Sequence, residues 1–197
     1  MHESWGHTVD QHRTAQRDAI AHAAWALAQE RGPFAVTMSQ VAEAAGVSRP
    51  TLYKYFPDVE SMLTAHHRKH VEAHLAELAA MVGGPDMPEE RLERLVFAYA
   101  EICHHRARRG GADLNLLVHS PSEGNAAESR LVDLFARAIR EVDADRDDVN
   151  PATLAAFAVR ALGTAAEVPA SQVAPVARLV LHALTGGAAP SVGHDSA

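Results

Sequence analysis

The sequence is poor in cysteine and in aromatic residues. Its 197 residues contain one cysteine, Cys103, so no disulfide can form within the chain, and a reducing compartment is the natural setting. Aromatic residues make up only 5% of the chain, whereas alanine is abundant. Because strands favour aromatic and β-branched residues and alanine is the best helix former, this composition predicts an all-α protein.

Long apolar runs and a recognisable export signal are also absent. No stretch approaches the roughly 20 apolar residues that span a bilayer. The first residues, MHESWGHTVDQHR, lack the apolar core of a signal peptide. We therefore expect a cytoplasmic protein without a membrane partner.

The chain has no excess of positive charge. Its formal net charge is −7, and the part after residue 70 carries all of it, because residues 1–70 hold seven basic and seven acidic side chains. An acidic total argues against a protein that simply coats nucleic acid. A neutral N-terminal segment can still meet DNA through a few well-placed cations.

Residues 37–56 carry the clearest local signals. Thr37 and Gln40 form a Thr-x-x-Gln capping box for one short helix. Gly46 suits the left-handed turn that ends many helices, and Ser48 caps a second short helix that reaches about residue 56. Two short helices joined by a tight glycine turn predict a helix-turn-helix motif.

The second short helix has a polar outer face. The predicted inward set is apolar: Ala42, Ala45, Val47, Leu52 and Phe56. The residues left on the outer face are Arg49, Thr51, Tyr53, Lys54 and Tyr55. An α-helix fits the DNA major groove, arginine can bind guanine through two donors, and lysine and tyrosine suit phosphate oxygens. This face is predicted to contact DNA, although a merely solvated helix face has a similar composition.

The stretch TMSQVAEAAGVSRPTLYKYFPDVESML, residues 37–63, resembles the DNA-binding head of TetR-family transcriptional regulators. The likeness covers about residues 12–65 and is closest in the run Gly-Val-Ser … Thr-Leu-Tyr-Lys-Tyr-Phe. It implies an all-helical homodimer with about nine helices in each subunit. Each subunit would have a three-helix head, a linking fourth helix, and a C-terminal domain for effector binding and dimerisation.

The resemblance also implies which residues contact DNA. In such regulators the contacts come from the start of the second helix and from along the third, which here implies Thr37, Ser48, Arg49, Thr51, Tyr53, Lys54 and Tyr55. Two positions depart from the family pattern. Val59 stands where many members have a lysine that contacts phosphate, and Pro50 stands where a small residue is frequent.

The predicted domain organisation follows the same division. Residues 1–57 form the helix-turn-helix domain, 58–190 the effector-binding and dimerisation domain, and 191–197 a flexible tail. The helix over 58–82 links the two domains. Apolar periodicity predicts a first helix over about 11–31. Periodicity and capping signals predict later helices over about 88–106, 112–119, 125–142 with Asn125 as its cap, from Pro151, and 170–185.

The last two predicted helices carry apolar stripes that contain alanine, which lets helices approach closely. In the family that the sequence resembles, these helices form a four-helix dimer interface. The resemblance implies the interface residues Leu154, Phe157, Ala158, Ala161, Ala165, Val173, Ala177, Val180 and Leu184. Packing inside one subunit is the alternative explanation for the same stripes.

Histidines crowd the linking helix in the run HHRKHVEAH, residues 66–74. On a helical wheel His67 and His74 lie near the apolar stripe of this helix and His66 lies on its far side, so we expect His67 and His74 to face the C-terminal domain. The candidate effector-binding residues are His67, His74, Phe97, Tyr99, His104, Leu117, His119 and Phe135. Solvated or core-edge histidines are the alternative. No residue identifies the effector, and no cofactor is predicted.

A metal-responsive regulator is a second interpretation of these histidines. The pairs His66/His70 and His70/His74 have the i, i+4 spacing that can chelate zinc. Further ligands would come from Cys103, His104 and His105.

Two other classes of protein are alternative interpretations of the sequence. An enzyme would pair the histidines with Asp113 or Glu101, but the sequence shows no nucleophile motif, phosphate-binding glycine loop or metal-hydrolase signature. We therefore predict no catalytic residue. The other class is a helix-turn-helix protein that serves as an interaction module without binding DNA.

The sequence and the resemblance together favour a one-component transcriptional regulator. We expect a repressor, with activation left open, that binds a palindromic DNA operator as a homodimer and is released by a small-molecule effector. A two-fold symmetric protein matches a palindromic operator.

Overall fold

The computed structural model describes residues 3–109, 121–143 and 149–186, with side chains at 10–106, 126–143 and 149–186. Within these ranges it contains α-helices and short 3-10 turns and no strand. The helices are α1 (Glu3–Arg31), α2 (Met38–Ala44), α3 (Arg49–Tyr55), α4 (Val59–Val82), α5 (Pro88–Arg109), α6 (Pro121–Val142), α7 (Pro151–Gly163) and α8 (Ala170–Leu184). The predicted all-α fold class is confirmed.

Two helices begin earlier than the sequence signals predicted. Helix α1 starts at Glu3 instead of near residue 11, and α6 starts at Pro121 instead of Asn125. Proline suits a first helical position because its missing amide would be unpaired there anyway. Asn125 is therefore inside the helix and does not cap it. The predicted helix over 112–119 and the tail over 191–197 lie outside the described residues.

The chain divides into two compact units, residues 1–73 with 108–124 and residues 74–107 with 125–197. The division falls inside α4, which is one uninterrupted helix. The domain boundaries predicted from sequence, after residues 57 and 190, stay predictions.

The first unit has a small hydrophobic core built from α1, α2, α3 and the start of α4. Ile20, Leu52 and Phe56 are at most 1% exposed, and Met62 is fully buried. The predicted inward residues do face this core, but they are buried to different extents. Ala42, Leu52 and Phe56 are buried, whereas Ala45 and Val47 are partly buried and pack against this core.

The turn between α2 and α3 depends on one glycine. Gly46 has a φ of +64°, a left-handed conformation in which a side chain would be strained. Its amide donates to the carbonyl of Glu43 (3.1 Å), and the amide of Val47 donates to the carbonyl of Ala42 (3.0 Å). This pair of hydrogen bonds is a Schellman motif, which satisfies carbonyls at the end of α2 and turns the chain into α3.

The second unit is held by a larger apolar core from α5, α6, α7 and α8. Its most buried large side chains include Leu92, Leu95, Phe135, Ile139 and Leu162. Arg91 joins the start of α5 to two neighbours, because its guanidinium donates to the carbonyl of Gly84 (2.8 Å) and to Glu141 (2.7 Å) on α6. No helix in the described ranges combines the length and apolar character needed to cross a bilayer.

Six of the nine predicted interface residues on α7, α8 and the turn between them are buried in the single chain: Ala158, Ala165, Val173, Ala177, Val180 and Leu184. Packing inside one subunit explains their burial. Leu154 and Ala161 are half-buried, and Phe157 is 51% exposed. The dimer interface stays a prediction, and these last three residues are the predicted ones that still present surface to a partner.

Candidate nucleic-acid interface

Both helices of the motif begin with a side-chain cap. The Thr37 hydroxyl accepts from the Gln40 amide (3.4 Å), and the Gln40 side chain accepts from the Thr37 amide (2.9 Å). At α3, the Ser48 hydroxyl accepts from the Thr51 amide (3.3 Å) and hydrogen-bonds with the Thr51 hydroxyl (2.8 Å). The predicted DNA contacts Thr37, Ser48 and Thr51 therefore also hold the helix starts in place.

Three of the predicted DNA contacts form the exposed face of α3. Arg49 is the first residue of the helix and Lys54 lies in its last turn, and both are exposed. Tyr53 is 52% exposed. Leu52 is fully buried on the opposite face, so the helix is anchored by one side and presents the other to solvent.

Tyr55 is oriented differently from Tyr53. It is half-buried against the core of the first unit, and its hydroxyl donates to Oε1 of Gln16 on α1 (2.7 Å). Residues two apart on a helix are separated by about 200°, so the two tyrosines cannot share one face. The outward placement of Tyr55 is thus wrong, while its assignment as a DNA contact stays a prediction.

A cluster of rings joins α1 to α4 within the first unit. His66 is only 7% exposed and stacks on Trp25, with ring centroids 4.9 Å apart. The ring of His22 lies 5.5 Å away and that of His70 4.5 Å away. Burial, which has the largest effect, and the neighbouring His70, His22, Lys69 and His67 together lower the pKa of His66 to about 4. His66 is therefore neutral at pH 7.

This cluster corrects the orientation that the helical wheel suggested for α4. The wheel placed His66 on the far side of the apolar stripe, but the structure buries it beside Trp25 of α1. The aromatic residue on α1 was the signal that could have indicated this contact. His67 is half-buried, with its ring 6.4 Å from Trp25, and belongs to the first unit, whereas His74 belongs to the second.

The structure gives the metal interpretation no support where side chains are described. Among those residues, no group of three or more His, Cys, Asp or Glu side chains could hold a metal ion. His66 and His70 have tilted rings in van der Waals contact within the ring cluster.

The candidate effector residues of the second unit lie among buried side chains. Tyr99 packs edge-on against Phe135 (5.8 Å between centroids) and hydrogen-bonds with Cys103. Burial raises the pKa of both Tyr99 and Cys103, so both stay protonated at pH 7. Phe97 is half-buried. Leu117 and His119 lie outside the described residues.

His104 is engaged by the fold. It is 5% exposed, and its Nδ1 lies 3.1 Å from the carbonyl oxygen of Ala165. Because a carbonyl can only accept, Nδ1 must carry the proton. Of the two acidic residues that an enzyme would pair with the histidines, Glu101 is exposed and lies 3.5 Å from His105, and Asp113 lies outside the described residues.

The N-terminal sequence matches a family of regulators. Residues 20–65 match the sequence profile described as bacterial regulatory proteins, tetR family. The chain is 36% identical over 75 residues to the uncharacterized HTH-type transcriptional regulator Rv1255c of Mycobacterium tuberculosis, covering 38% of this chain and 37% of that protein. It is 28% identical over 117 residues to the HTH-type transcriptional regulator HbdR of an Aromatoleum species, covering 59% and 49%. The matched region thus spans between about a third and a half of these curated relatives.

Solved structures share the fold over most of the chain. A TetR/AcrR-family regulator from Thermobifida fusca superposes with a TM-score of 0.71 at 22% identity, covering 89% of this chain and 99% of the other. FadR of Thermus thermophilus, a TetR-family repressor solved with lauroyl-CoA, superposes with a TM-score of 0.55 at 26% identity, covering 90% and 99%. The chain is thus similar to TetR-family regulators over its helix-turn-helix, and it shares their helical fold over most of its length.

Proposed function

We propose that the protein is a cytoplasmic repressor that binds a palindromic DNA operator as a homodimer and releases it when a small molecule binds the C-terminal helices. The observation that carries the proposal is the geometry of α2 and α3. Two capped seven-residue helices meet at a left-handed glycine, and the second presents Arg49, Tyr53 and Lys54 to solvent. A helix presented in this way can enter the major groove.

The exposed residues of α3 suit two kinds of contact. Arg49 is at the N-terminal end of the helix, the part that reaches base edges in helix-turn-helix proteins, and its guanidinium can bind guanine through two donors. Lys54 and the Tyr53 hydroxyl are suited to phosphate oxygens, which position the protein without reading sequence. Arg49 would therefore supply specificity and Lys54 general affinity.

Exposed apolar side chains support the homodimer. Phe157 on α7 is 51% exposed and Leu179 on α8 is 72% exposed. A partner that covers both would remove apolar surface from water, which stabilises an interface. A two-fold dimer would also place two copies of α3 about one DNA turn apart, roughly 34 Å, as a palindromic site requires.

The effector class rests on the relatives. Thermus thermophilus FadR was solved with lauroyl-CoA, so acyl-CoA thioesters are the first compounds to test here. An effector would act by binding more tightly to the conformation that does not bind DNA.

Selection of bound sequences from a random duplex pool tests the proposal. We expect a palindromic site, with Arg49→Ala weakening it by about 1–3 kcal/mol and relaxing the base preference at one position of each half-site. Lys54→Ala should weaken all sequences evenly and reduce the slope of log affinity against log salt by about 1. Arg140→Ala, at an exposed site on α6, is the control and should change neither. Recovery of no site by the wild-type protein would favour the interaction-module alternative.

Sedimentation in the absence of DNA tests the assembly. The wild-type protein should be dimeric at micromolar concentration, and Phe157→Asp should produce monomers because it places a charge in an apolar contact. Thr153→Asp changes an exposed residue of the same helix and should remain dimeric. A dimeric Phe157→Asp protein would exclude this surface as the interface.

A further inference from the structure

A cleft of about 300 Å³ opens on the first unit where α1 lies beside the end of α3. Its lining residues are Asp10, Arg13, Thr14, Arg17, Lys54 and Tyr55. Three of them are basic and one is acidic, so the lining has a formal charge of +2 in a chain whose total is −7. The cleft is therefore a local concentration of positive charge in an acidic protein.

Contacts with the core hold the walls of the cleft. The guanidinium of Arg17 lies 4.6 Å from the ring centroid of Phe56, a cation–π contact that fixes the charged end of this long side chain. The Tyr55 hydroxyl donates to Gln16 (2.7 Å), which ties α3 to α1 at the same place. Because these groups are already ordered, a ligand would lose little affinity to ordering them.

The chemistry of the lining selects for phosphate. Two guanidinium groups and one ammonium offer only hydrogen-bond donors, and the planar fork of arginine matches two oxygens of a phosphate. Thr14 adds a hydroxyl, and Asp10 is the one group that would repel an anion. The attraction of three cations outweighs that single repulsion.

The location of the cleft indicates which molecule would supply the phosphate. Lys54 belongs both to the cleft and to the exposed face of α3. A duplex held against α3 would therefore bring its backbone to the mouth of the cleft. We infer that Arg13 and Arg17 on α1 bind a backbone phosphate of the operator, which adds α1 to the DNA-binding surface of α2 and α3. This inference rests on the proposed function.

Salt-dependent binding to the selected operator and to an unrelated duplex tests the inference with the full chain. Arg13→Ala should weaken both duplexes alike, by roughly 3- to 10-fold, and lower the salt slope by about 0.9 per lost contact. The base preference in a selection should not change. Arg13→Lys should restore most of the slope, and Asp10→Asn should strengthen binding to both duplexes.

Controls separate a lost phosphate contact from a lost fold. Arg13 is exposed, so its removal should leave the melting temperature unchanged, whereas Arg17→Ala also removes the contact with Phe56. Arg31→Ala changes an exposed arginine at the other end of α1 and should keep both the affinity and the slope.

Three results would overturn the inference. If the wild-type protein binds the operator but Arg13→Ala keeps the full salt slope, the cleft does not contact DNA and the proposed function stands. If inorganic phosphate without DNA raises the melting temperature and Arg13→Ala abolishes that gain with an unchanged DNA slope, the cleft binds a free phosphate ligand. If the wild-type protein binds no duplex, the inference and the proposed function fail together.

Discussion

The helix-turn-helix and the C-terminal helices differ in how their structure is stabilised. Helices α2 and α3 have seven residues each, whereas α5 and α6 have 22 each. A seven-residue helix is too short to persist alone, so its ends need side-chain caps and a defined turn. The longer helices lie in the unit with the larger core of buried leucine, isoleucine and phenylalanine. The helix-turn-helix thus needs local caps and a defined turn in addition to the small core beneath it, whereas the second unit relies mainly on apolar volume.

Polar groups are also used differently in the two units. In the first unit Arg13, Arg49 and Lys54 are on the surface, where they can meet a charged partner. In the second, Tyr99 and His104 have their polar atoms turned to internal partners, Cys103 and the carbonyl of Ala165. The exposed cations of the first unit are those that the proposed function uses, whereas Tyr99 and His104 of the second unit serve internal ordering.

The largest expected effect is in the core of the second unit. Phe135 is fully buried, so Phe135→Ala should lower the free energy of unfolding by about 3–5 kcal/mol through lost burial and a cavity. Phe34→Ala is the matched control, because Phe34 is 80% exposed and its loss should change stability by less than about 0.5 kcal/mol. Urea unfolding at one protein concentration measures both. Equal effects would mean that apolar burial is not what holds the second unit.

The next effect concerns the ring cluster of the first unit. His66 has a pKa of about 4 in the folded chain and an ordinary value of 6.5, so the unfolded chain binds more protons between these pH values. The free energy of unfolding should therefore carry no penalty from His66 above about pH 6.5 and should fall as the pH drops towards 4. The loss from this one group is on the order of 3 kcal/mol.

A variant isolates that loss from the titration of carboxylates. His66→Phe keeps a ring against Trp25 but removes the titrating group, so its stability should depend less steeply on pH over the same range. His12→Phe, at an exposed position on α1, is the control and should follow the wild-type curve. Urea unfolding at several pH values measures the difference. Superimposable curves for wild type and His66→Phe would show that the cluster does not oppose protonation.

The smallest effect compares two glycines. Gly46→Ala should cost about 1–2 kcal/mol because φ is +64°, and no atom lies within 4 Å of the added Cβ to cause a clash as well. Gly163, at the end of α7, has a φ of −56° and equally open space. Gly163→Ala should therefore stabilise the chain by up to about 1 kcal/mol. Thermal unfolding should move in opposite directions for the two variants; a shift of the same sign would refute the role given to the left-handed turn.

Much of the first unit could be predicted from short-range signals. The capping box at Thr37, the left-handed turn at Gly46 and the cap at Ser48 all involve residues within one helical turn of each other. Such contacts depend on the identity of neighbouring residues, so they can be recognised without knowing the rest of the fold. The inward positions of Leu52 and Phe56 followed for the same reason, because helical periodicity sets which side is apolar.

Long-range packing accounts for what could not be predicted. The helical wheel predicted that His66 lies away from the packed face of α4, but it contacts Trp25 on α1. Tyr55 was predicted to lie on the outer face of α3 with Tyr53, but it contacts Gln16 on α1. The cleft lined by Arg13, Arg17 and Lys54 was missed for the same reason, because these residues are about 40 positions apart in the sequence.

The apolar stripes of α7 and α8 show what local sequence can predict and what only tertiary packing decides. Their spacing predicted two helices with a packed face, and both helices are present. Periodicity shows that a face must be covered but not by what. The structure shows that Ala158, Val173 and Ala177 are covered within the chain, while Phe157 and Leu179 are exposed. Local residue order was therefore sufficient for the helices and their caps, whereas the partner of each face depended on the tertiary packing, because burial is a property of surfaces that meet in space.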